Sequence, residues 1–157
     1  MNRKSTATAA RGGTVPDVDE AARAEIAARA WQGLRTLVLD RHDRRREVCD
    51  ALGMSFIRAK ALRHLVAGEL TMRQFAERLA IDPPYATLVV DDLQRRGLVL
   101  RSPHPSDRRL RMVSLTPAGT RAAESAERIL NRPPAAVADL DAADLAALDR
   151  LVAKLLG

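Results

Sequence analysis

Apolar residues recur at helical spacing along most of the 157-residue chain, and the breaks in that rhythm mark its elements. A polar tail over residues 1–17 gives way to "DVDEAARAEIAARAWQGLRTLVLD", where Ile26, Ala30, Leu34, Leu37 and Val38 share a stripe. That helix runs to Leu52 or breaks within "RHDRRREVCDALG", and Gly53 ends it. In "MSFIRAKALRHLVAGEL" the inner side of a second helix holds Phe56 or Ile57, Ala61, Leu62, Leu65 and Val66, with Gly68 as the stop. "TMRQFAERLAID" opens on a capping box between Thr71 and Gln74 and turns Phe75, Ala76 and Leu79 inward. Only Ala80, Ile81 and Asp82 separate this helix from the next, the spacing of a helix-turn-helix.

The helix after the turn begins with two prolines. With Asp82 as N-cap, Pro83 and Pro84 fall in the first turn, where amides have no intrahelical partner, so they start the helix without breaking it. Ala86, Val89, Val90 and Leu93 then face inward, leaving Pro84, Tyr85, Thr87, Leu88 and Asp91 outside. After "RRG" the period changes to two. Leu98 and Leu100 alternate, as do Leu110, Met112 and Ser114, around a polar centre, which predicts a β hairpin with a long tip. Thr116 caps a further helix with Pro117 at its first position. Its stripe of Ala122, Ala126 and Ile129 allows close helix packing, and Pro133 and Pro134 end it. Asp141 caps a last helix whose Leu145, Leu148, Val152 and Leu155 need another helix or another chain to cover them.

Composition narrows the class. Apolar residues make up 46% of the chain but aromatics only 3%, so the core is built from aliphatic residues and alanine, and a mainly α fold follows. A net charge of +6 favours polyanionic partners. The single Cys49 excludes an intramolecular disulfide framework and a four-Cys zinc site; it is either a packed thiol or a redox sensor. His42, His64 and His104 are scattered, with no HExxH, and neither GxxxxGK nor GxGxxG occurs. No metal, no cofactor and no catalysis are expected. Without a signal-peptide core or a bilayer-length apolar run, the expected setting is the cytosol, with no membrane partner.

Helix, capped helix, short turn, helix, strand, basic loop, strand is the order of a winged helix-turn-helix flanked by long helices. On "LTMRQFAERLAI", "VVDDLQRRGLVLR" and above all "SDRRLRMVSLTPAG", the chain resembles the MarR family of bacterial transcription regulators over roughly residues 54–119. The resemblance implies a homodimer in which the first and last two helices intertwine, binding double-stranded DNA at a pseudo-palindrome. It divides the chain into dimerisation helices over 18–53, a DNA-binding domain over 54–115 and dimerisation helices over 116–157. The candidate dimerisation residues are Ile26, Leu34, Ala126, Ile129, Leu145, Leu148, Val152 and Leu155.

The candidate DNA contacts are Thr71 and Arg73, then Pro84, Tyr85, Thr87 and Leu88 on the reading helix, then Arg95, and Arg108, Arg109 and Arg111 on the wing. Pro84, Tyr85 and Leu88 suit thymine methyls and Thr87 a base or phosphate, unless Tyr85 and Leu88 pack locally. The two prolines stand where the family carries polar residues such as Arg and Ser. Asp91 and Asp92 are placed to face the wing or the scaffold, and Asp91 can pair with Arg95 one turn on. By resemblance, Asp107 braces the wing through an arginine while Arg108 or Arg109 enters the minor groove or holds its phosphates. "RHDRRRE" reads as a solvated helix face, and Trp31 either packs between helices or lines an effector cavity. The expectation is a dimeric repressor relieved by a small-molecule or oxidant effector. Its rival is an architectural or protein-interaction dimer with weak, unspecific DNA contact.

Overall fold

The computed structural model describes residues 19–107 and 109–157; the expected tail over 1–17, and Arg108, lie outside the described residues. Two compact units divide the chain between residues 41 and 42. In the first, α1 (Glu20–Arg35) passes into a π-helical stretch, Thr36–Arg41, so the long helix breaks well before Leu52. No residue of α1 is buried, and Trp31 is 68% exposed.

The second unit begins with α2 (Arg45–Leu52) and α3 (Phe56–Leu65). Gly53 closes α2 in the left-handed region, at φ 60°, a conformation that costs a side-chain-bearing residue about 1–2 kcal/mol. Next come β1 (Leu70–Thr71), α4 (Met72–Leu79) and α5 (Pro83–Arg95), then β2 (Val99–Pro103) and β3 (Arg111–Leu115). Three helices follow: α6 (Pro117–Leu130), the short α7 (Ala135–Ala138) and α8 (Ala142–Leu156). The caps read from sequence are in place. Thr71 and Gln74 form the reciprocal capping box, and Asp82, Thr116 and Asp141 each accept from amides of the helix they open.

Burial concentrates where α3, α4 and α5 meet the sheet. Phe75, Leu62, Leu93, Val89, Val90, Val99 and Val113 are fully buried there. Val66, expected on the inner side of α3, lies beyond the end of that helix and is exposed.

The sheet is antiparallel and three-stranded, in the order β1-β3-β2. Its phase is one residue out from the sequence reading: Val99 and Val113 are buried, whereas Leu100 and Leu110 are exposed. The inner row of β2 carries Arg101 beside Val99, paired to Val113, and a cation on the inner row hides its alternation. The two-residue β1 was not predicted. It is a strand only because Leu70 and Thr71 pair with Val113 and Met112.

On the scaffold side the packing within the chain is as follows. α2, grouped by sequence with the N-terminal dimerisation region, packs on α3 and α6. Ala126, expected at the dimer seam, is fully buried beside Val48 and Ala59, and Ile129 packs against the same cluster. The small side chains of α6 are thus used within the chain, to bring α2 and α3 close. By contrast α8 buries nothing: Leu145, Val152 and Leu155 are all exposed, Leu155 by 75%.

The junction of wing and α6 is unusually close. A Cβ on Gly119 would stand 1.9 Å from the Leu98 carbonyl oxygen, so only glycine fits. The Thr116 hydroxyl donates to the Gly97 carbonyl at 2.7 Å while accepting from the Gly119 amide at 3.0 Å.

Candidate nucleic-acid interface

α5, the candidate reading helix, is defined at its entry by Asp82, whose carboxylate accepts from the Tyr85 amide at 2.8 Å. That bond spans the two prolines, which have no amide hydrogen to offer. Ala86, Val89, Val90 and Leu93 are buried as expected. Pro84, Tyr85, Thr87 and Leu88 are exposed, Leu88 by 61%. The Thr87 hydroxyl donates to the Pro83 carbonyl at 3.1 Å, so its oxygen remains an acceptor toward solvent. α5 therefore presents an apolar, hydroxylic surface without charge over its first two turns, suited to thymine methyls rather than guanine edges.

Charge enters in the later turns, and most of it is consumed internally. Asp91 does not pair with Arg95. Its carboxylate accepts instead from Arg101 Nη1 at 2.5 Å, and the same nitrogen reaches Gln94 Oε1 at 3.1 Å, fastening β2 to the reading helix. Arg95 turns to Asp92 at 2.9 Å. Asp92 also accepts from Arg96 Nε at 2.8 Å and from Arg58 Nε of α3 at 2.6 Å. The hydrogen bond from Arg96, then that from Arg58, holds the Asp92 carboxyl below the ordinary aspartate range, against the opposing effect of burial. Arg73 pairs with Glu77 at 2.8 Å. Thr71 spends its hydroxyl and amide in the capping box.

The wing differs. Arg109 and Arg111 are exposed, and neither has an ion-pair partner among the described residues. Asp107 braces the tip through the backbone: its carboxylate accepts from the Arg109 amide at 3.0 Å and its carbonyl from the Leu110 amide at 3.0 Å. Arg108 lies outside the described residues. Sequence reasoning counted Arg101 among the wing cations and passed over Arg58; the pairing of both was missed because their carboxylate partners stand 10 and 34 residues away. A local reading finds only the i, i+4 neighbour.

A second feature was not legible in the sequence. Between α3 and α6 lies a cavity of about 630 Å³, lined by Phe56, Lys60, Arg63, His64, Ala123 and Glu127 among others. Arg63 Nε donates to Glu127 across it. Burial, reinforced by Lys60, Arg63 and Arg78, pulls the His64 pKa below the usual histidine value. Glu127 is lowered chiefly by the bond from Arg63.

The comparisons agree with this geometry. The model of the MarR family matches residues 65–110. A MarR family protein from Bacillus stearothermophilus superposes with a TM-score of 0.72 at 22% identity, covering 84% of this chain and 94% of that one. Wild-type MarR of E. coli in its apo form gives a TM-score of 0.64 at 22% identity, covering 93% and 100%. The structure of NadR in complex with 4-hydroxyphenylacetate gives 0.56 at 23% identity, covering 92% and 97%. Identities this low establish the fold. Among curated proteins no match was found.

Proposed function

We infer that this chain, whose winged-helix region is of the MarR family, is a homodimeric transcription regulator that represses from a pseudo-palindromic duplex and is released by an effector. The observation that carries this reading is the division of labour around the groove: an uncharged, exposed start to α5 beside a hairpin with exposed Arg109 and Arg111. Base edges meet Tyr85, Thr87 and Leu88, while the wing holds the sugar-phosphate backbone. A two-fold dimer sets its reading helices about 34 Å apart, one turn of B-DNA, so both enter successive major grooves. The exposed leucines of α8 supply a surface for the second copy.

The cavity between α3 and α6 supports the effector part of the reading. Lys60, Arg63 and His64 on its wall suit a small organic anion, and Phe56 an apolar ring. The NadR structure, of like fold, holds such a molecule in 4-hydroxyphenylacetate. To lower operator affinity, the effector binds better to a spacing of the winged domains that does not fit DNA.

Internal pairing of Arg73, Arg95 and Arg101 favours a second reading, an architectural dimer with weak, unselective DNA contact. A selection from random duplex DNA at near-physiological salt separates the two. A regulator enriches one inverted repeat, and an architectural dimer enriches none. Within the first reading, Arg109→Ala weakens binding to all duplexes alike and lowers the slope of log affinity against log salt by about one per subunit; unchanged salt dependence removes Arg109 from the interface.

A further inference from the structure

Asp92 is the only buried charged residue among the described residues, 9% exposed, and the reading of DNA by α5 gives it no direct part. It stands in the later turns of the helix, away from the exposed start that faces the groove. Around its carboxylate converge the guanidinium groups of Arg58, Arg95 and Arg96. Two of these reach onward. Arg58 Nη1 donates to the Ser55 hydroxyl at 2.7 Å, at the N-cap of α3, and Arg96 Nη1 donates to the Gly53 carbonyl at 3.1 Å, at the end of α2. One carboxylate thereby ties the end of the reading helix to the joint between α2 and α3.

We propose that Asp92 is a positioning residue for DNA recognition: through Arg58 and Arg96 it fixes the pitch of α5 against α3, and so decides whether the first turns of α5 meet base edges. The inference rests on α5 being the reading helix. Its physical basis is asymmetry. Apolar packing of Val89, Val90 and Leu93 holds α5 against the core but is non-directional and tolerates small rotations, whereas the charge-assisted bonds from Arg58 Nε and Arg96 Nε to one Asp92 oxygen, at 2.6 and 2.8 Å, fix direction as well as distance. With the carboxylate removed, three cations share one site without a counter-charge, and their repulsion separates α5 from α3. Arg95 and Arg96 belong to this cluster, which explains why the basic end of the helix turns back toward the scaffold.

A positioning role and a merely structural one leave different traces. Loss of fold weakens every DNA interaction in proportion to the unfolded fraction. Loss of pitch removes sequence preference while backbone contacts by the wing persist. The test is a random-duplex selection run in parallel on the wild-type full chain, Asp92→Asn and Arg58→Gln, with thermal melts of each and titrations of the enriched repeat against a scrambled duplex. The expected result is that both variants, assayed well below their melting temperatures, bind the scrambled duplex within about threefold of wild type, while preference for the enriched repeat falls by about tenfold or more. Should Asp92→Asn fail to fold, Arg58→Gln, at a partly exposed position on a different helix, carries the same prediction. Preference equal to wild type in a folded variant overturns the proposal and leaves the regulator reading standing. A wild type that enriches no repeat overturns both.

Discussion

The winged core and the terminal helices solve the burial problem differently. Around Phe75 the core is complete within one chain: its aliphatic residues are covered, α4 and α5 are capped at their starts, and none of the buried side-chain polar atoms among the described residues lacks a partner. α1 and α8 carry apolar residues at helical spacing and yet bury no residue. α6, lying between these cases in sequence, uses its alanines inside the chain. The difference teaches that amphipathic spacing alone does not say where a helix docks. A stripe of small residues found its partner locally, while the leucine stripe of α8 is left uncovered by the described residues of its own unit.

The contrast can be broken from the core side first. Phe75→Ala is expected to cost about 3–5 kcal/mol, a large part of the stability of a domain this size, and to be seen as a collapse of the thermal midpoint at every protein concentration. Val152→Glu combined with Leu155→Glu places charge on the exposed stripe; the mass by light scattering is expected to halve while the melt of the winged core survives, and an unchanged mass would refute α8 as a dimer surface. A smaller effect sharpens the core side. Ala80 ends α4 at φ 55°, the only non-glycine with positive φ among the described residues, so Ala80→Gly is expected to gain about 0.5–1 kcal/mol in chemical denaturation.

The smallest effect is pH dependence at His64. Its folded pKa lies below the ordinary 6.5, so the folded state binds the proton less readily than the unfolded one. The corresponding stability is present above pH 6.5 and is lost as pH falls below that value toward the lowered folded pKa. His64→Gln is expected to flatten this part of a stability-against-pH curve without altering the dimer mass. A curve of unchanged shape would show that burial at His64 does not govern its charge.

What the sequence disclosed was local chemistry. Asp82 before two prolines and Thr116 before Pro117 act within four residues, so their roles could be read directly, as could the inward face of α5. Signals that depend on distant partners were misread or invisible. β1 exists only through Val113 and Met112, the hairpin phase was obscured by Arg101, and Asp91, rightly read as facing the wing or the scaffold, was offered Arg95 as its cation where the wing strand supplies Arg101. For the candidate interface, the outer residues of α5 were legible because a helix period fixes them. Which arginines remained free was not, because that depends on where every carboxylate lies.

The contact of Gly119 with the Leu98 carbonyl leaves no slack between α6 and the foot of the hairpin. Whatever tilts that helix swings the wing as a crank swings its handle. With strands of five residues at about 3.3 Å each, the arm is roughly 17 Å long, so a rotation of about 5° at the foot displaces the tip by roughly 1.5 Å, about half a hydrogen bond's length.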